Sequence, residues 1–474
     1  MAAPPQRFDR TITEGPILRA VWKVAWPTML QNAIAGLQGI IDHTMVGHYV
    51  GFTGNAAIGI SWQIFLVVIV FVSCLYTGMA VLVARFAGAH DSEKVNRVVY
   101  QAFLTSVILA AGILAPLGYL FAPRLLEMVN ATEAVRVEAL PYLRIMFLFS
   151  IGMLMYFMVG GALRAAGDAR TPLYLGLFIT VLNAALNVIF IRGLGPIPAY
   201  GTRGAAIGTV MATGVAALIG LVMLFSHRLP VRFSRSMSWT PDWDIIRSLF
   251  GFGLPAGFQG VVMNVGGVLM LRFIGSLQYS AEAQAAFTVC YSELFSLITW
   301  TSNGLMGAAA VVAGQNLGAA RPDRTIHGVH LASRIGLVIA GTVGAIFLLF
   351  PRALLGIFGL DDPVVVQLGR QLLAYLSVSG LFIAVALSYT GGLQGTGDTR
   401  SPFYISLLSQ VAVPLGYCAL VQAWRGLAPQ DVWLAIVLGH FTRCTLSVVR
   451  FRQEQWKRIV VGIQEDRTPA GVRS

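Results

Sequence analysis

Twelve apolar runs follow one another along this chain, at roughly 22–48, 55–84, 98–121, 137–161, 172–192, 204–227, 248–272, 284–313, 330–351, 367–391, 402–421 and 431–450. Each is near the ~20 residues that a helix needs to cross a bilayer core. One such run alone could be the buried core helix of a soluble domain. Twelve in series exclude that, and so does a charged fraction of 11%, since a water-facing surface needs about a quarter charged residues. The chain is expected to be an all-α integral membrane protein with twelve transmembrane helices. The first run is too long for a cleavable signal and lacks a small-residue cleavage site behind it, so it is expected to stay in the protein.

A fourteen-residue phrase occurs twice. Gly161-Ala162-Leu163-Arg164-Ala165-Ala166-Gly167-Asp168-Ala169-Arg170-Thr171-Pro172-Leu173-Tyr174 returns as Gly391-Gly392-Leu393-Gln394-Gly395-Thr396-Gly397-Asp398-Thr399-Arg400-Ser401-Pro402-Phe403-Tyr404. Further echoes are Trp26-Pro27 with Gln31 against Leu254-Pro255 with Gln259, and Gly88-Ala89 against Gly318-Ala319. The chain therefore reads as two copies of one unit. Six spans, an even number, separate the copies of the phrase, so both enter the membrane in the same sense, as two parallel six-helix pseudo-symmetric lobes do. The expected division is an N-lobe at 1–227, a cytoplasmic linker at 228–247, a C-lobe at 248–454 and a cytoplasmic tail at 455–474. The polar stretch from Ser226 to Asp244 marks the linker.

A net charge of +12 raises the question of a polyanion partner, which the placement of the charges answers. With a cytoplasmic N-terminus, 24 of the 33 Lys and Arg residues fall on the cytoplasmic side, as the positive-inside rule requires. Both termini are then cytoplasmic, and no nucleic-acid partner is needed. The tail from Arg450 to Arg458 is basic enough to touch anionic lipid. Cys74, Cys290, Cys418 and Cys444 are scattered singly through apolar spans, so neither a disulfide framework nor a metal site is indicated. No phosphate loop, nucleophile triad or metalloprotease motif occurs, which argues against ATP-driven transport within this chain and against an enzyme.

Acidic groups inside apolar spans are costly and need a reason. Asp42 in span one and Glu293 in span eight stand out. Asp42 lies toward the outer end of its span, where it is either a carboxyl that trades a proton for a cation or an interfacial residue meeting water. Asn183 and Asn187 are spaced i, i+4 on one face of span five, at a depth that suits Asp42, as a polar nest or as interhelical hydrogen-bond glue. Pro27 removes a backbone hydrogen bond in mid-span, making a static kink or a hinge. Glu293 carries either a structural hydrogen bond or a transport role. Gln31 and Gln259, matched between the halves, join it as candidate auxiliary or substrate-cavity groups. His43 points about 100° away from Asp42 on a helix.

On these residues the chain resembles the multidrug and toxic compound extrusion (MATE) family of secondary transporters, part of a larger group that includes lipid-linked sugar flippases. The marks are Pro27 followed by Asp42-x-x-Met45-Val46-Gly47, Gly88-Ala89, Gln315-Asn316-Leu317-Gly318-Ala319 and both copies of the repeated phrase. The resemblance implies a monomeric, multi-pass exporter of small amphipathic or cationic compounds in a bacterial inner membrane. It would work by alternating access between two lobes and need no cofactor beyond protons or sodium as coupling ion. It also implies a cation-coupling set of Asp42, Tyr142, Asn183, Asn187 and Thr209. Asn187 stands where many members have Asp, which removes a negative charge and favours protons. The acids that one bacterial branch carries in spans seven and ten have no counterparts near Met263 or Ile383, leaving Glu293 auxiliary. A flippase for a lipid-linked sugar is the alternative, although it calls for a strongly cationic cavity.

Overall fold

The computed structural model of the chain describes residues 8–129, 131–226, 229–234 and 240–463. Arg228, Arg235, Ser236 and Ser238 of the expected linker, and the tail beyond residue 463, lie outside the described residues. Twelve helical segments follow one another: α1 (Ile17–Tyr49), α2 (Phe52–Gly88), α3 (Ser92–Met128), α4 (the pair Glu133–Leu148 and Ser150–Ala165), α5 (Arg170–Arg192), α6 (Thr202–Phe225), α7 (Trp243–Gly275), α8 (Ser280–Gly318), α9 (Pro322–Leu349), α10 (Pro363–Gly395), α11 (Arg400–Arg425) and α12 (Pro429–Arg452). A short helix, Pro351–Ile357, follows α9. Among the described residues ten helices are long and apolar enough to cross a membrane, and α4, bent by 51° at Phe149, makes an eleventh. Together with α1 they account for the twelve apolar runs. The protein is an all-α, multi-pass membrane protein.

The repeated phrase is a helix stop followed by a helix start. Gly167 and Gly397 adopt φ of 100° and 97°, a conformation that a side chain would strain. The next amide in each copy reaches back five residues, Asp168 N to Leu163 O at 2.8 Å and Asp398 N to Leu393 O at 2.9 Å, which closes the preceding helix as a glycine C-cap does. Each aspartate then starts the following helix. Asp168 Oδ1 accepts from the amides of Arg170 and Thr171, both at 3.1 Å, and Oδ2 accepts from Thr171 Oγ1 at 2.6 Å. Asp398 accepts from Ser401 N at 3.1 Å and Ser401 Oγ at 2.8 Å, and adds an ion pair to Arg450 Nε at 2.9 Å. A second echo follows α2 and α8, where His90 and Ala320 take positive φ without being glycine.

The chain forms two compact units. Among the described residues, the first comprises 33–257 with 8–9 and 462–463, the second 10–32 and 258–461. The division therefore falls inside α1 and α7, a few residues after Pro27 and Pro255, and not at the polar linker. Local packing explains it. In the second unit the start of α1 lies against α8, where the missing side chain of Gly304 admits the backbone of Met29 and Asn32 Nδ2 donates to Trp300 O at 3.3 Å. Ahead of α1, Ile12 and Thr13 are buried. Arg324 Nη2 donates to Gly15 O at 2.7 Å and Ile12 O at 3.3 Å, and Arg321 Nη1 to Thr13 O at 2.7 Å. In the first unit the start of α7 presses the Leu249 carbonyl against Gly78 of α2. The strand of chain ahead of it is held on α3 by Arg97–Asp242 at 2.6 Å, by Gln101 Nε2 to Thr240 O at 3.0 Å, and by Phe233 buried among Tyr100, Phe103 and Phe225. Of the basic tail, Trp456 is buried and stacked on Phe451, and Lys457 is paired with Glu454 at 2.6 Å.

Three helices carry a wide π-type turn: Ala110–Leu114 in α3, Thr288–Leu294 in α8 and Leu408–Ala412 in α11. Such turns fit extra residues into a helix and free backbone carbonyls locally.

Candidate functional site

Within the first unit, α1, α5 and α6 bring together four of the residues singled out in the sequence. The i, i+4 spacing puts Asn183 and Asn187 on one face of α5, both fully buried. Asn187 Nδ2 donates to Asp42 Oδ1 at 2.6 Å and to Asn183 Oδ1 at 3.2 Å. Asn183 Nδ2 donates to Thr209 Oγ1 of α6 at 3.2 Å, and Thr209 Oγ1 donates to Ala205 O one turn back at 3.0 Å. Gly208 lets α6 come this close, because a Cβ there would sit 2.4 Å from Asn187 Oδ1.

With the Asn183 amide assigned the other way round, its nitrogen donates to Asp42 Oδ1 at 2.8 Å and its oxygen accepts from Thr209 Oγ1 at 3.2 Å, and the nitrogen then faces Asn187 Nδ2 at 3.2 Å. Asn187 Oδ1 is buried with no donor among the described residues. A buried acceptor without a donor is costly, and here it lies beside a carboxylate. The cluster therefore has acceptor capacity to spare, which is what a proton or a small cation satisfies.

Tyr142 on α4 is buried, near enough to Asp42 to interact with it electrostatically, and lies beside Trp62 of α2. The ring of His43 is hydrogen-bonded through Nδ1 to Asn55 Oδ1. Two contacts were not singled out in the sequence. Thr180 Oγ1 meets Gln38 Oε1 at 3.2 Å, one turn from Asp42 on α1 and about one turn from Asn183 on α5, and the Trp62 indole meets Tyr142. Gln38 sits at i−4 from Asp42, a spacing that marks the same helix face.

The remaining candidates belong to the second unit. Gln259 is buried, donating to Ser406 Oγ at 2.9 Å and accepting from Gln394 Nε2 at 3.1 Å. Gln31 is half-buried on α1. Glu293 is half-buried in the wide turn of α8, its backbone carbonyl accepting from Ser296 Oγ. Pro27 is buried in α1, and beside it Thr28 Oγ1 donates to Val24 O at 2.7 Å. No group of three or more His, Cys, Asp or Glu side chains gathers among the described residues.

Comparison with known proteins follows the same landmarks. A probable multidrug resistance protein NorM of Thermotoga maritima is 26% identical over 453 residues, 95% of either chain. Another NorM, from Acinetobacter baylyi, is 27% identical over 457 residues, covering 93% of this chain and 97% of the relative. The fold matches a solved outward-facing multidrug resistance MATE family transporter of the MOP superfamily with a TM-score of 0.87, at 21% identity over 95% of this chain and 98% of that one. The MatE family model matches residues 27–189 and 255–418. Each stretch opens on one of the paired prolines and contains one copy of the repeated phrase. With most of its length matched in this duplicated form, the chain belongs to the MatE family.

Proposed function

We propose that the protein exports small amphipathic or cationic compounds from a bacterial cell by antiport, and that Asp42 couples export to an inward flow of protons. The observation that carries this reading is that Asn187 Nδ2 donates to Asp42 Oδ1 at 2.6 Å while the buried Oδ1 of the same amide has no donor among the described residues. The amide nitrogen supports the ionised carboxylate, and an open acceptor beside it suits the O–H of the protonated form. The site also favours protons over sodium through its charge, because Asp42 is its single carboxylate and the neighbouring groups are neutral amides and hydroxyls. The relatives named multidrug resistance proteins support a broad, drug-like substrate range.

In this reading the two six-helix lobes expose a substrate site to either side in turn, and loading or release of the Asp42 proton biases that exchange. Pro27 acts as the hinge of α1, since the helix passes from one compact unit to the other five residues beyond it. The test uses vesicles containing the protein and loaded with a fluorescent cationic dye. An imposed proton gradient drives efflux, replacing sodium by choline at fixed pH leaves it unchanged, and Asp42→Asn abolishes it while the protein stays folded. Undiminished efflux by Asp42→Asn ends the proposed role. A requirement for sodium replaces proton coupling by sodium coupling.

A further inference from the structure

The second unit holds a buried charge that the Asp42 mechanism does not use. Arg443 of α12 is 1% exposed, forms no ion pair among the described residues, and has its Nε buried without an acceptor. Its Nη1 reaches only the weak acceptor Met263 Sδ of α7, at 3.9 Å, and the titratable groups that face it are the Tyr291 hydroxyl of α8 and His440 on its own helix. A guanidinium cannot shed its charge as a carboxyl can, and an unpaired buried charge is strongly destabilising.

Neighbouring polar groups are open as well. One turn along α7 from Met263, Gly266 admits the backbone carbonyl of Gln410, a residue in the wide turn of α11. Gln410 Nε2 is also buried and unpartnered, as are Ser409 Oγ beside it and Ser447 Oγ one turn beyond Arg443 on α12. His440, one turn before Arg443, cannot supply an anion, because an imidazole is neutral or cationic, and its Nδ1 is engaged by Ser379 Oγ at 2.5 Å. Its ring stacks on Phe295, which stacks on Tyr291, giving the guanidinium a rigid aromatic wall. The first unit leaves a buried acceptor open beside an acid. Here a base is left with an open donor of its own, beside an open amide donor and two open hydroxyls.

We propose that Arg443, with Gln410, forms a carboxylate-binding site enclosed by α7, α8, α11 and α12, which takes the carboxylate group of a small organic anion. The planar guanidinium edge matches a carboxylate through two parallel N–H donors, and the Gln410 amide adds a third. The argument stands on the geometry of this unit and does not depend on the role of Asp42.

The test is equilibrium binding to the purified full-length chain in lipid nanodiscs, with benzoate as probe, its neutral isostere benzamide as control, and sodium chloride as a separate arm. Benzoate is expected to bind and raise the melting temperature while benzamide does not. Arg443→Lys, which keeps the charge and loses the fork, weakens benzoate at least tenfold, Gln410→Leu weakens it severalfold, and Arg443→Gln abolishes it. Three results overturn the proposal: benzamide binding as tightly as benzoate, chloride alone saturating the same stabilisation, or Arg443→Lys and Gln410→Leu both binding benzoate like the parent chain. The last two variants preserve charge or bulk, so the test survives if Arg443→Gln fails to fold.

Discussion

Asn187 holds Asp42 Oδ1 at 2.6 Å through its amide nitrogen, and the oxygen of that same amide is buried without a donor. One side chain therefore both supports the acid and leaves an acceptor open beside it.

Gly208 is the probe of that arrangement. A methyl group there would fall 2.4 Å from Asn187 Oδ1, at the movable end of a side chain, so the amide swings before the backbone does. Gly208→Ala is expected to cost about 1 kcal/mol, the low end for overpacking, yet to cut coupled efflux at least fivefold. Thermal melting and dye efflux on the same preparation separate the two effects.

Asn187→Asp places a second carboxylate against Asp42. A doubly acidic nest attracts a hard cation more strongly than two amides and an acid do. Efflux by this variant is expected to become sodium-stimulated by severalfold, whereas the parent chain is indifferent. Exchanging sodium for choline at constant pH reads the difference, and indifference in both proteins counts against the site.

The duplicated aspartates differ in two bonds: only Asp168 accepts from the amide two residues on, Arg170 N at 3.1 Å, and only Asp398 accepts from a distant arginine. Asp168→Ala removes a helix cap, worth about 1 kcal/mol. Asp398→Ala removes the equivalent cap and also the bond from Arg450 at 2.9 Å, and a hydrogen bond between charged groups adds about 1.5–3 kcal/mol. Denaturation in matched micelles should rank Asp398→Ala as the less stable of the two.

Arg324 clamps the segment ahead of α1 through the carbonyls of Ile12 and Gly15. Arg324→Ala is expected to speed hydrogen exchange in peptides spanning residues 8–16 at least tenfold, since losing about 1.4 kcal/mol of local stability is a factor of ten. Exchange elsewhere in α9 should change little.

The twelve helices were legible because a bilayer imposes a run length that few other structures need. The helix stop and start of the repeated phrase was also readable, from Gly167-Asp168 and Gly397-Asp398. What stayed hidden was partnership. Periodicity tells which face of α1 is polar, but nothing in Trp26-Pro27 says that the turns around it pack on Gly304 of α8. The meeting of Gln38 with Thr180 was hidden for the same reason, as glutamine and threonine occur on many helix faces that make no such contact. Arg443 escaped notice because it lies close to the end of its apolar run, where an arginine reads as a cytoplasmic anchor. Its burial depends on α7, α8 and α11 closing around it.

The wide turn in α8 also records how the two halves came to differ. Pro27 and Pro255 are 228 positions apart, but Gly88 and Gly318 are 230 apart, so the second half is two residues longer between these landmarks. Helix and loop lengths both differ there: the loop 276–279 is longer than the loop 50–51, and α8 has 39 residues where α2 has 37. The Thr288–Leu294 turn accommodates extra length inside α8. Glu293 sits inside that accommodated stretch. Counted back from the paired glycines Gly318 and Gly88, its counterpart in the first half is Gln63, so the carboxylate belongs to one half alone and the two halves carry different chemistry on one scaffold.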